Sequence, residues 1–170
     1  SLPLVIATTG QTDGERAAIA EAAKKIPLFF AANYSLGVAL LIELAKKAAA
    51  AMPDAEIEII EKHHDRKIDA PSGTAIAIAN AIKDVRPESY CVNGRNGASK
   101  REQNEIGIHS IRMGNIVGEH EVIVGTQNQT ITLKHEAHNR ALFAEGALTA
   151  ASFIIGKPAG LYDMKKMLDF

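Results

Sequence analysis

Apolar positions along the chain fall into short runs separated by longer stretches of helical period. Leu4-Val5-Ile6-Ala7 is short, partly β-branched and ends at Thr8-Thr9-Gly10, the pattern of a buried parallel strand followed by a tight turn. A helix is predicted next, with Thr12 or Asp13 able to cap it, Glu15 in its first turn, Lys24-Lys25 in its last and Pro27 closing it. Leu28-Phe29-Phe30-Ala31 reads as a second buried strand. Strand, helix and strand within roughly thirty residues is the size of a βαβ unit, so the N-terminus reads as part of an α/β domain with parallel strands.

Ser35 can cap a long helix whose apolar positions Val38, Leu41, Ile42, Leu44 and Ala45 recur near helical spacing, ending at Met52-Pro53. From Ala55 the period becomes two, with Ile57 and Ile59 alternating against Glu56 and Glu58, which predicts a strand running into His63-His64. Asp69-Ala70-Pro71-Ser72 reads as a turn, and Ser72 or Thr74 can cap a helix through Ile76, Ile78, Ala79 and Ile82. Residues 86–105 carry Pro87, Gly94, Gly97 and Lys100-Arg101-Glu102 without a sustained period and read as a long loop. Strands over Ile106–Arg112, Ile116–Gly125 and Gln129–Leu133 are expected to form an antiparallel meander. A last helix begins near Asn139, runs through Leu142, Leu148 and Ile154-Ile155, and stops at Gly156-Lys157-Pro158.

Composition narrows the class. With 170 residues, 46% apolar and 23% charged, one main core is expected and disordered or fibrous classes are excluded. The charge sum is 19 − 20 = −1 and the basic residues are scattered, so nucleic acid is not an expected partner. The single cysteine, Cys91, the lack of a cleavable signal pattern and the lack of an 18-residue apolar run predict a reducing, cytoplasmic setting with no membrane partner. Tryptophan is absent and aromatics make up 5%, so the core must be aliphatic, with alanine-rich helices packed closely.

Candidate chemistry is densest in His63-His64-Asp65-Arg66-Lys67-Ile68-Asp69-Ala70-Pro71-Ser72-Gly73-Thr74. Histidines titrate near neutral pH, Lys67 can donate a proton or hold an anion, and the amides near Gly73 and Thr74 open a helix whose N-terminus favours a carboxylate. An anionic substrate is the natural guest; the plain alternative is a solvated basic loop ahead of an ordinary capped helix. His135-Glu136-Ala137-His138 places two imidazoles three residues apart, which is not the His-Glu-x-x-His spacing that aligns both rings on zinc, so no metal is expected. His109 and His120 fall in predicted strands, where histidines bonded to sheet neighbours are the expectation. Cys91 has no second cysteine and no catalytic signature beside it. Thr8-Thr9-Gly10 could present amides at a strand's C-terminal edge, but no Gly-x-Gly-x-x-Gly follows any strand, so a dinucleotide site is incomplete here.

These residues together resemble the C-terminal portion of the bacterial dihydrodipicolinate reductase (4-hydroxy-tetrahydrodipicolinate reductase) family over the whole chain. The resemblance rests on Ala7-Thr8-Thr9-Gly10, on Phe30 through Gly37, and on Glu61-Lys62-His63-His64 continuing through Lys67 to Ala75. Further blocks are Gly107 to Arg112, Gly114 to His120, and Gly160-Leu161-Tyr162-Asp163-Met164. It implies an α/β plus α+β fold, the remnant of a parallel Rossmann sheet joined to a mixed-sheet substrate-binding and tetramerisation domain. Implied boundaries are 1–34 for the nucleotide-domain remnant, 35–140 for the substrate domain, and 141–170 for a segment returning to the first domain; the chain is expected to be a fragment.

The family's reaction, removal of a 4-hydroxyl as water and NADH- or NADPH-dependent reduction to tetrahydrodipicolinate in lysine biosynthesis, is implied with it. So are a small dicarboxylate substrate and a homotetramer. Carried over by motif, His63 resembles the family's proton donor or acceptor and Lys67 its proton donor, while His64 and the Gly73 and Thr74 amides resemble the carboxylate-holding groups. Ala7, Thr8 and Thr9 with Ala31, Ala32, Asn33 and Tyr34 resemble the stretches at the nicotinamide end, although Ala7 replaces a frequent glycine and Tyr34 the usual phenylalanine. Arg140 resembles a family arginine near the domain junction. A different class of reading, for the 170 residues alone, is a catalytically silent substrate-binding and oligomerisation module; a metal hydrolase would require bound zinc.

Overall fold

The structure, a computed structural model, describes residues 2–169. In chain order the elements are β1 (Leu4–Ile6), α1 (Asp13–Ala23), β2 (Pro27–Phe30), α2 (Leu36–Ala51), β3 (Glu56–His63), α3 (Gly73–Lys83) and β4 (Tyr90–Asn93). They continue with β5 (Glu105–Arg112), β6 (Gly118–Gly125), β7 (Thr130–Ala137), α4 (Ala141–Ile154), β8 (Gly160–Tyr162) and α5 (Met164–Leu168). The chain divides into two compact units, Ser1–Ala39 with Arg140–Phe170, and Leu40–Asn139. No helix among the described residues is long and apolar enough to cross a membrane.

The first unit is built on a parallel sheet in the order β1-β2-β8, with Leu4 opposite Leu28 and Leu28 opposite Leu161. Central β2 buries Leu28 and Phe29 completely, as its apolar run predicts. Thr12 caps α1 and forms a capping box with Glu15, whereas Lys24 lies at the C-cap rather than in the last turn. Phe29 and Tyr34 share a core with Ala150, Ile154 and Met164 from α4 and α5. The backbone of α4 comes so close to this core that a Cβ added at Gly146 would stand 1.7 Å from the Tyr34 carbonyl oxygen. A Gly146→Ala variant should therefore lose about 1–3 kcal/mol despite alanine's better helix propensity. Urea unfolding decides between these two effects, since a stabilised variant would mean that the helix moves off the sheet freely.

The second unit carries a five-stranded sheet in the order β4-β5-β3-β6-β7. Strands β4, β5 and β3 run parallel, and β6 is antiparallel to both β3 and β7. Ile57 and Ile59 of β3, Ile106 and Ile108 of β5, and Val122 and Val124 of β6 form one buried face. Leu41 and Ala45 of α2 and Ile78 and Ile82 of α3 cover it. Arg86 ties this layer together, its guanidinium donating to the carbonyls of Ala49, Met52 and Ala55 at the end of α2.

The expected meander is corrected here, because β5 and β6 are not neighbours: β3 lies between them. Local sequence favours a hairpin around Gly114, but β3 is buried on alternate residues along its whole length and takes a partner on each edge. Residues 113–117 cross its end, a span of about 10 Å that five residues cover easily. The crossing is bonded to β3, with Met113 N–H donating to the His63 carbonyl and Asp65 N–H to that of Gly114. The segment read as a long loop contains β4, and β7 extends to Ala137. The strand β8 and helix α5 had no counterpart in the reading of the tail.

Candidate functional site

The buried face of the second sheet is apolar along most of its length and changes character at one end. In β3 the inward phase continues from Ile57 and Ile59 to Glu61 and His63. Ser110 and Arg112 take the same phase in β5, as does His120 in β6, because Glu61 pairs with both Ser110 and His120 and His63 pairs with Arg112. Glu61 is 0% exposed. Arg112 binds it in a fork, with both terminal nitrogens at 2.8 Å from the two carboxylate oxygens. The Ser72 N–H donates to Oε1 at 3.1 Å, and His63 Nδ1 lies 2.6 Å from Oε2. Burial raises the carboxyl's affinity for a proton, but hydrogen bonds from His63, Arg112, Ser110 and Ser72 outweigh it and hold the group well below the usual carboxylate range.

The His63 ring is buried and meets His120 edge to face, with centroids 5.1 Å apart. His120 Nε2 lies 3.0 Å from the Ser72 hydroxyl. Burial, followed by the charge of His63, pushes His120 down to about 4, so it is a neutral ring near pH 7. A Cβ at Gly118 would come within 3.1 Å of His63 Nε2, so glycine there keeps side-chain atoms of β6 off that nitrogen.

Ser72 also caps α3, its hydroxyl accepting from Ala75 N–H at 3.2 Å. The same residue therefore fixes the helix start against Glu61 and His120. Gly73 and Thr74 are the first two residues of the helix, whose own geometry cannot use their amides. Lys67 lies in the loop between β3 and α3, its backbone N–H bonded to the His64 carbonyl and its ammonium 2.8 Å from Asp69. That hydrogen bond from Lys67, ahead of the opposing effect of burial, lowers the Asp69 carboxyl. Ile68, next to it, is 99% exposed. The second unit thus gathers His63, His64, Lys67 and the Gly73-Thr74 turn of α3 at one end of one sheet.

In the first unit, Ala7-Thr8-Thr9 and Ala31-Ala32-Asn33 follow β1 and β2 directly. They lie at the C-terminal edge of two neighbouring parallel strands, where open α/β sheets hold ligands. Gln11 fastens this turn to the Thr8 carbonyl and hydroxyl. Tyr34 differs from its neighbours: its ring is 4% exposed and packed on Phe29, and its hydroxyl donates to the Ile6 carbonyl at 2.6 Å. Burial pushes that phenol up to about 12. Its side chain is a core element with little to offer a ligand. Arg140 stands at the N-cap of α4 without making a side-chain cap.

Glu61, Ser110 and Arg112 had no place among the expected site residues, while Ser72 was expected as a helix cap and His120 as a histidine bonded within the sheet. The signal for the first was its phase, a charged residue where the alternation calls for an apolar one. His135 of β7 faces His120 in register, and burial, with His138 second, lowers it. Among the described residues no group of three or more histidine, cysteine or acidic side chains is placed to hold a metal ion.

Comparison with known proteins adds an independent line. Residues 37–168 match the family described as dihydrodipicolinate reductase, C-terminus, and residues 1–34 match dihydrodipicolinate reductase, N-terminus. Proteins named 4-hydroxy-tetrahydrodipicolinate reductase from Caldanaerobacter subterraneus subsp. tengcongensis and Clostridium tetani are each 49% identical over 98% and 99% of the chain. In both cases the chain spans 67% of the relative's length. A solved structure described as dipicolinate bound dihydrodipicolinate reductase from Paenisporosarcina sp. TG-14 superposes with a TM-score of 0.77 at 33% identity, covering 95% of this chain and 62% of that one.

Proposed function

The chain belongs to the dihydrodipicolinate reductase family, and we propose that its residues serve the NADH- or NADPH-dependent conversion of 4-hydroxy-tetrahydrodipicolinate to tetrahydrodipicolinate in lysine biosynthesis. The family is one of reductases that use a pyridine nucleotide. The observation that carries the assignment of roles is the meeting of His63, Lys67 and the N-terminus of α3 at the polar end of a buried sheet face.

The substrate is a dicarboxylate, so binding is first a matter of holding two anions in a fixed orientation. His64 and the Gly73 and Thr74 amides hold carboxylate, the amides with the helix dipole behind them and without an added charge. Lys67 reaches the same space from the loop, its ammonium restrained by Asp69 until an anion competes for it. Water leaves from the 4-position; Ala7-Thr8-Thr9 and Ala31-Ala32-Asn33 would hold the pyridine nucleotide, which when bound would supply hydride for reduction of the double bond. The other carbon of that bond takes a proton, which His63 and Lys67 deliver. By this reading residues 1–34 belong to the nucleotide domain, 35–140 to the substrate and tetramerisation domain, and 141–170 to a segment returning to the first. The protein works in the cytoplasm as a homotetramer, and the helix-free face of the second sheet, with Ile60, Ile111 and Ile123, is the surface offered for assembly.

Calorimetric titration with pyridine-2,6-dicarboxylate, and separately with NADH, tests this. Binding of the dicarboxylate that weakens about tenfold or more in His64→Ala is the expected result for a charge-assisted contact. Dicarboxylate affinity unchanged in both His64→Ala and Lys67→Ala would overturn the assignment. The silent-module reading is favoured by one observation, the two thirds of the relatives' length that the chain spans. Dicarboxylate binding without NADH binding selects it for the isolated chain.

A further inference from the structure

We infer that the Arg112–Glu61 ion pair is the positioning device of His63: it sets which ring nitrogen carries the proton, so that Nδ1–H is turned inward and Nε2 is presented as the reactive atom. The catalytic consequence rests on the role proposed for His63; the geometry does not.

Besides the Ser110 hydroxyl, which can rotate to donate or accept, each oxygen of the buried Glu61 carboxylate has two partners. Oε1 receives the Ser72 N–H and one Arg112 nitrogen, both of which can only donate. Oε2 receives the other Arg112 nitrogen and faces His63 Nδ1 at 2.6 Å. An ionised carboxylate accepts and cannot donate, so Nδ1 must carry a hydrogen whether the ring is neutral or cationic. Nε2 then has no hydrogen in the neutral ring and one in the imidazolium. A ring poised this way accepts a proton at Nε2 and returns it from the same atom, while the carboxylate beside Nδ1 balances the charge that develops.

Arg112 is needed as the counterweight. Together with the His63 hydrogen bond its fork keeps Glu61 ionised despite complete burial, and its bond to the Asp69 carbonyl at 2.6 Å ties the device to the loop that carries Lys67. Glycine at position 118 keeps β6 side-chain atoms off that nitrogen, since any larger residue would press on Nε2. His63 and Lys67 are therefore the groups that would meet substrate, and Glu61 and Arg112 act through His63.

The pattern of partners predicts what Glu61→Gln does. Only one of the two amide positions can be the NH2 group. Placing it at the Oε1 position opposes two fixed donors, whereas placing it at the Oε2 position opposes one and lets it donate to an imidazole that can rearrange. Glu61→Gln should thus reverse the tautomer, moving the hydrogen to Nε2. Two-bond nitrogen–proton correlation spectra of the 170-residue chain, recorded as pH is raised until the His63 ring is neutral, read this directly and involve neither substrate nor turnover. The expected result is Nδ1–H in the unaltered protein, Nε2–H in Glu61→Gln, and return of Nδ1–H in Glu61→Asp. A neutral ring with hydrogen on Nε2 in the unaltered protein overturns the inference without any variant having to fold, and an unchanged Nδ1–H in a folded Glu61→Gln does so as well. In the proposed reductase reaction, the same substitution should lower kcat by about 10²-fold or more with KM little changed. A reversed tautomer with undiminished kcat would leave the positioning intact and remove His63 from the chemistry.

Discussion

Replacing His63 by alanine should lower kcat of the proposed reductase reaction by about 10²–10⁴-fold, the range for losing a positioned proton-transfer group. Lys67→Ala should act in the same direction, because the two side chains approach the same end of the sheet from β3 and from the loop that follows it. Neither change should unfold the protein. Glu61 keeps Arg112 and Ser72 when the imidazole is removed, and the Lys67–Asp69 pair lies partly exposed, where an ion pair contributes about 0–1 kcal/mol. His64→Ala should instead raise KM more than it lowers kcat, since a group that only holds a carboxylate binds ground state and transition state alike. Steady-state kinetics on the three variants, with circular dichroism as the check on folding, separates these roles. Full turnover in both His63→Ala and Lys67→Ala would falsify the proposed division of labour.

How much of this site could be read beforehand follows from the kind of signal each part carries. Helix starts are local, and Thr12 with Glu15, Ser35 and Ser72 all cap where the residue types indicate. The strand β3 was legible because its alternation spans eight residues, while β4 and β8, at four and three residues, are too short to establish a period. Strand adjacency is a tertiary property. Gly114 marks a turn whether the chain returns beside β5 or crosses over β3, and the crossing wins because β3 pairs on both edges. That choice decides the site, for Ser110, Arg112 and His120 converge on Glu61 and His63 only when β5 and β6 flank β3. The family motif named His63 and Lys67, but the carboxylate and guanidinium behind them lie on strands about fifty positions apart and become neighbours through folding alone.

The same convergence makes Arg112 the most exacting residue for stability. Its guanidinium neutralises a carboxylate that no water reaches, so Arg112→Met, which keeps much of the side chain's length, should destabilise the protein by about 3–5 kcal/mol. The cost arises less from the lost bonds than from leaving Glu61 charged among apolar neighbours with only Ser72, Ser110 and His63 to satisfy it. Acid pH provides the discriminating measurement. Glu61 is held below its ordinary value of 4.5 in the folded state, so the stability it confers is fully present above that pH and is lost as pH falls toward the depressed folded value. Arg112→Met removes part of the depression, the hydrogen bonds from His63, Ser110 and Ser72 remaining, and the variant should therefore shed less stability on acidification. In urea titrations the gap between the two proteins should be widest from neutrality down to about pH 5 and should narrow below pH 4.5. A gap of under 1 kcal/mol at neutral pH would mean that the pair behaves as an exposed one, and a gap of constant size through the acid range would mean that Glu61 is not the group whose proton is linked to folding.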